Sequence, residues 1–165
     1  MLRLNYHIWI LIKMKYKIGN GIDIHKIKKE KCKQRLAGLD FELDYKIIAH
    51  SDGDIILHSI SSAILGALSL QDLGTYFSDT DSKNKNLDSL EILSMCLNEL
   101  KKQDYSISNV DITIICEYII FKDIKDQIKS NLEKLLNNTE ISLKATRYEE
   151  DKNMIQVNTV LLINK

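Results

Sequence analysis

The chain of 165 residues contains no proline, and no repeat, low-complexity tract or Gly/Ser linker interrupts it, so nothing marks a domain boundary. One domain with a full hydrophobic core is expected, since single domains cluster at about 100–150 residues. Cysteines are few: Cys32, Cys96 and Cys116 are far apart and show no C-x-x-C spacing. That excludes a disulfide framework or a cysteine zinc site and fits a reducing compartment. Neither sign of charge dominates, with 23 basic and 23 acidic residues, so no global field draws the chain to nucleic acid or to an anionic membrane. Long apolar runs are missing as well. The opening "MLRLNYHIWILIKMK" holds an uninterrupted apolar stretch only from Ile8 to Ile12, too short for a span of about 20 residues. Residues 1–15 are expected to be an N-terminal extension, either a targeting remnant or the product of an upstream start, with Met14 as the more ordinary beginning. Residues 16–165 form the expected single domain.

What is present is an alternation of strand and helix patterns. "YKIGNGIDIH" (16–25) alternates as a strand closely approached at Gly19 and Gly21. A short strand pair is expected around Gly38. "SDGD" resembles a helix start, with Ser51 and Asp54 at capping-box spacing, followed by "IILHSISSAILGALSL" at helical apolar spacing. Residues 71–86 are polar and loop-like. Further helices are expected over 87–102 and 123–137, and further strands in "SISNVDITIICEYI", "ISLKATRYEE" and "IQVNTVLLIN". The fold class is α/β (α+β): a mixed sheet with helices packed on one face.

The chemistry concentrates in two places. Asp23 and His25 lie two apart on a strand, so both side chains leave the same face. "HSDGDIILH" (50–58) gathers half of the chain's four histidines into nine residues. One carboxylate with two imidazoles, Asp23, His25 and His58, is a borderline donor set suited to zinc, and three protein ligands leave a fourth tetrahedral position open. Taken without further residues, a solvated or helix-capping role competes with that reading. Gly19 and Gly21 would let a ligand come close to the backbone ahead of Asp23. The helix start beside His50 and Ser51 favours an anion, with phosphate the expected ligand. The acidic loop holding Asp72, Asp79 and Asp81 is read either as a solvated surface or as a binder of hydroxyls.

"IGNGIDIH", "AHSDGDIILHSISSAILGAL", "QDLGTYFSDTD", "SNVDITII" and "LKATRYEE" together resemble, in order and spacing, the signature blocks of the 2-C-methyl-D-erythritol 2,4-cyclodiphosphate synthase family of non-mevalonate isoprenoid biosynthesis. The resemblance implies zinc on Asp23, His25 and His58. It places His50 and Ser51 at the substrate diphosphate, with His50 and Thr146 as catalytic residues. Asp72 and Gly74 would hold the methylerythritol portion, and Phe77, Asp79, Thr80 and Asp81 the loop that encloses it. Glu149 would bind a second divalent cation, Mg2+ or Mn2+. Asp23, His25, Thr146 and Glu149 count among the substrate-binding residues too. The implied assembly is a homotrimer with each active site between adjacent subunits.

The implied substrate is 4-diphosphocytidyl-2-C-methyl-D-erythritol 2-phosphate, the product beside the cyclic diphosphate is CMP, and neither nucleic acid nor membrane is a partner. The implied compartment is a bacterial cytoplasm, or alternatively a plastid-like organelle. A metal-dependent phosphoesterase and a non-catalytic, zinc-stabilised trimer are the competing functions. The chain departs from the family pattern in three places. "EEDKNMIQVN" replaces a glycine-rich segment, which puts isoprenoid binding in the trimer's central cavity in doubt. Arg147 and Tyr148 stand in place of threonines; Arg147 is expected to contact phosphate, the alternative being that it blocks the pocket. "CEYIIFKDIKDQI" lacks the Pro-Lys of the nucleotide pocket, so Lys122 is not assigned to it.

Overall fold

The structure, a computed structural model, describes residues 15–49, 51–77, 87–148 and 153–165. The expectations for residues 1–13, and for His50, Asp79, Thr80, Asp81 and Glu149, lie outside those residues. Five strands form one sheet in the order β2-β1-β5-β3-β4. They are β1 (Tyr16–Leu36), β2 (Leu39–Ile48), β3 (Ser106–Cys116), β4 (Glu140–Thr146) and β5 (Met154–Asn164). Strand β4 runs parallel to β3, and the other neighbours are antiparallel, so the sheet is mixed as expected.

Strand β1 is far longer than the pattern at 16–25 indicates. Its first half, Tyr16 to Lys26, pairs with β5, and from Lys26 to Leu36 it pairs with β2. Lysines fall on both faces of "KIKKEKCKQR", which hides the two-residue period that marks a half-buried strand. One irregularity interrupts this second ladder, between Lys29 and Cys32. The hairpin turns at Ala37 and Gly38, both at positive φ, a conformation that glycine adopts without steric cost.

Among the described residues, four α-helices join the strands: α1 (Ile55–Ala67), α2 (Leu73–Tyr76), α3 (Ser89–Lys102) and α4 (Lys125–Leu135). The short α2 falls inside the stretch expected to be loop. The core lies between the helices and one face of the sheet, where Ile55, Ile60 and Ile64 of α1 meet Val157 and Ile163 of β5 and Ile112 and Ile114 of β3. The opposite face leaves Tyr16, Ile18, Ile22, Ile24 and Val160 exposed. Helices on one face is the expected arrangement.

Gly19 and Gly21 set the distance between α1 and β1. A Cβ on Gly19 would stand 1.9 Å from the Ala63 carbonyl oxygen, and one on Gly21 2.0 Å from that of Ser59. The close approach read from these glycines is therefore the backbone of α1, where the sequence suggested a ligand. A buried hydroxyl pair, Ser59 Oγ to Thr159 Oγ1 at 2.7 Å, fixes the helix along the sheet.

Asp54, and not Ser51, caps α1, accepting from the Leu57 amide at 3.1 Å. Its carboxylate is fully buried and also accepts from the amides of Ala37 and Gly38, at 2.9 and 2.6 Å. A single side chain thus joins the hairpin turn to the start of α1. Burial pushes its carboxyl above the ordinary value, with the three amides opposing that shift.

Candidate active site

The site lies where β1 exchanges one partner strand for the other. Asp23 and His25 project from β1 on the side that carries α1, and His58 comes from the first turn of that helix. Asp23 Oδ1 accepts the Ile24 amide at 2.9 Å, which turns Oδ2 toward both imidazoles. Oδ2 stands 3.3 Å from His25 Nε2 and 3.7 Å from His58 Nδ1. The three sequence-predicted ligands thus converge on one carboxylate oxygen.

The remaining hydrogen bonds orient the rings. His25 Nδ1 lies 3.1 Å from the Ile48 carbonyl, which can only accept, so Nδ1 carries the proton and Nε2 is directed to Asp23. The hydrogen bond to Asp23 raises the His25 pKa, against burial, which lowers it. His58 Nε2 is buried with no partner among the described residues.

These features bear on whether a metal fits. Among the described residues, no group of three or more histidine, cysteine, aspartate and glutamate side chains is so placed that it could hold a metal ion as it stands. The separations are nevertheless close to those of a tetrahedron: zinc bonds of about 2.0–2.1 Å imply edges of roughly 3.3–3.4 Å between ligand atoms. The His25–Asp23 distance meets that, and the His58–Asp23 distance exceeds it by a few tenths of an ångström. A carbonyl orienting His25 from behind is the usual outer support of a metal-binding histidine. The donor types therefore suit zinc, with the His58 ring a few tenths of an ångström further from Asp23 than a shared ion requires.

A cavity of about 360 Å3 opens on these residues. Ser51, Asp72 and Gly74 line it beside Asp23, His25 and His58, and Phe77, Leu73, Leu87 and Ile92 form its apolar wall. Ser51 Oγ accepts the Gly53 amide at 3.4 Å. Asp52, next along, accepts from both the amide and the hydroxyl of Ser89, at 3.0 and 2.5 Å. This fastens the Ser51 turn to the start of α3. Asp72 caps α2 through the Thr75 amide and hydroxyl, at 2.9 and 2.7 Å. Those two hydrogen bonds hold its carboxyl below the ordinary value, so it is ionised near neutral pH.

Thr146, the last residue of β4, does not line this cavity within one chain. Arg147 follows it on the surface, and the Tyr148 hydroxyl donates to Gln156 Oε1 at 2.9 Å. Sequence reasoning missed Ser62, Leu87 and Ile92; for Ser62 a signal existed, its position four residues after His58 on one helix. A larger, open hollow of about 790 Å3 runs along α3 past Leu90, Met95 and Lys102. It gathers no group suited to the chemistry, so size alone does not locate the site. No helix among the described residues is long and apolar enough to cross a membrane, which says nothing of β-barrels.

Comparison with known proteins gives the family. The sequence model of the YgbB family matches residues 16–164. The 2-C-methyl-D-erythritol 2,4-cyclodiphosphate synthase of Mycoplasmoides gallisepticum is 42% identical over 92% of this chain and 98% of its own. The Leptospira interrogans protein of the same name is 46% identical over 82% of this chain and 86% of its own. Among solved structures, a CDP complex of IspF from Plasmodium falciparum superposes with a TM-score of 0.77 at 33% identity, covering 90% of this chain and 95% of that one. A five-stranded mixed sheet, an Asp-x-His strand placed against a histidine helix, and similarity over nearly the whole length lead to one conclusion: the chain belongs to the YgbB family, the 2-C-methyl-D-erythritol 2,4-cyclodiphosphate synthases.

Proposed function

We propose that this chain is a phosphorus-oxygen lyase that converts 4-diphosphocytidyl-2-C-methyl-D-erythritol 2-phosphate to 2-C-methyl-D-erythritol 2,4-cyclodiphosphate and CMP. The observation that carries this reading is the Asp23 carboxylate turned to both His25 and His58 at the mouth of a cavity walled by Ser51, Asp72 and Gly74. An oxygen of the 2-phosphate attacks the β-phosphorus; the new P–O bond closes the ring, and the bond from that phosphorus to the α-β bridging oxygen breaks, releasing CMP. The nucleophile is a phosphate monoester already ionised near neutral pH, so no strong general base is required. The difficulties are repulsion between anions and the geometry of closure, which positioning reduces.

Asp23, His25 and His58 would hold Zn2+, and Glu149 a second divalent cation, Mg2+ or Mn2+. Bound there, these ions would neutralise and polarise the diphosphate. The residues of the chain do the rest. His50 and Ser51 contact the diphosphate, and His50 stabilises charge as the ring closes. Asp72 and Gly74 hold the methylerythritol portion, whose hydroxyls a carboxylate accepts and whose phosphates it repels. Phe77 and the residues that follow it, Asp79, Thr80 and Asp81, enclose that portion and exclude water.

The chain works as a homotrimer with its sites between subunits. Two observations support this: Ile18 is 70% exposed and Ile22 50% exposed on the helix-free face of the sheet, an apolar surface of the kind that oligomers cover; and Thr146 does not line the cavity of its own chain, so a neighbouring subunit would supply it. Phosphorus NMR of the purified protein incubated with the diphosphocytidyl substrate tests the reaction. A cyclic diphosphate and CMP are expected; an open-chain phosphate would instead mark a hydrolase. Light scattering tests the assembly, with three chains expected.

A further inference from the structure

Helix α1 is buried on every side but one. Of its residues from Ile55 to Ala67, all except His58, Ser62 and Gly66 are buried, and these three are spaced four apart, forming a single stripe along the helix. His58 and Ser62 both line the cavity. We propose that Ser62 is a substrate-positioning residue whose hydroxyl binds a free hydroxyl of the polyol portion of the substrate.

Of the other two serines of the helix interior, Ser59 is spent on the Ile56 carbonyl and the Thr159 hydroxyl, and Ser61 is fully buried and does not line the cavity. Ser62 makes no hydrogen bond within the described residues, although a helical serine commonly turns back on the preceding turn. Its hydroxyl both donates and accepts, and it carries no charge.

The cavity also holds the carboxylate of Asp72, apart from the Asp23 carboxylate that the proposed zinc would engage. A phosphate beside Asp72 would face a negative group, whereas a hydroxyl can donate to that carboxylate and still accept from serine. A polyol hydroxyl is therefore the matching chemistry. This rests on the cyclase reading, whose substrate has phosphate at positions 2 and 4 and so leaves hydroxyls free at positions 1 and 3.

The experiment compares the zinc-loaded parent protein, Ser62→Ala and Ser62→Thr, each with the full substrate and with its 1-deoxy and 3-deoxy analogues. Loss of one neutral hydrogen bond should lower kcat/KM of Ser62→Ala by about tenfold. Zinc content and thermal midpoint should match the parent, and Ser62→Thr should recover most of the rate. One deoxy analogue should cost the parent a similar factor and cost Ser62→Ala nothing more, because the missing pair is the same. Equal kcat/KM in parent and Ser62→Ala, or losses that multiply for both analogues, would overturn the assignment while leaving the cyclase reading intact. A parent that forms no cyclic diphosphate would overturn both.

Discussion

Gly21 lies beneath the carbonyl of Ser59 with no room for a methyl group, since a Cβ there would stand 2.0 Å from that oxygen. The obstacle is helix backbone, which cannot rotate aside as a side chain would. Gly21→Ala must push α1 off β1, and α1 carries His58 to Asp23. A loss of about 3 kcal/mol is expected, toward the upper end for overpacking, together with weaker zinc binding. Urea unfolding and zinc titration of the variant check this. An unchanged midpoint would show that the helix can lift without cost.

His58→Ala should empty the proposed zinc site and leave the fold standing, because His58 is only part-buried and, among the described residues, its ion pair to the sheet is the one with Asp23. Metal analysis of the purified variant is expected to find well below one zinc per chain, with an unchanged circular dichroism spectrum. Normal zinc content would remove His58 from the ligand set. Chelating the metal from the parent should likewise abolish turnover and spare the fold; unfolding on chelation would instead mark the ion as structural.

Asp54→Ala should be among the most damaging single changes outside the site. It would leave the buried amides of Ala37 and Leu57 and the part-buried amide of Gly38 without their acceptor. Each stranded donor costs about 1–3 kcal/mol, so the combined loss should reach at least about 2 kcal/mol in urea unfolding, provided water reaches no more than one of them. A loss below about 1 kcal/mol, the cost of an ordinary helix cap, would show that the hairpin turn does not depend on Asp54.

The thiols should react in order of burial. Burial pushes the Cys96 pKa up to about 11, so at pH 8 only about one molecule in a thousand carries the reactive thiolate there. Cys32, part-buried in β1, is shifted in the same direction but remains accessible. Iodoacetamide at pH 8 should label Cys32 first in the native protein and Cys96 only on denaturation. Each unit of rising pH should speed Cys96 about tenfold while the fold holds. Equal native labelling of both would contradict the packing of α3 on α1.

The convergence of Asp23, His25 and His58 was legible because strand geometry alone places Asp23 and His25 on one face, and because a helix beginning near Asp54 puts His58 in its first turn. Other features were not legible, for physical reasons. A glycine reports that something approaches and not what, so the contact at Gly19 and Gly21 was read as a ligand when it is α1. Ser51 and Asp54 both suit a helix start, and only the burial of Asp54 between two elements decides between them. Ser62 is one of five serines between residues 51 and 69; it becomes distinct only when packing covers every side of α1 except its own stripe.

The irregular pairing between Lys29 and Cys32 has an evolutionary consequence. A slip of one residue in a strand turns every side chain to the opposite face, and for Asp23 and His25 that would abolish the site. The ladder from Tyr16 to Lys26 runs without a break, and the irregularity lies beyond it. Insertions or deletions near the hairpin tip can therefore be absorbed before they reach the ligands, leaving descendants free to remodel that arm while inheriting an unaltered reaction centre.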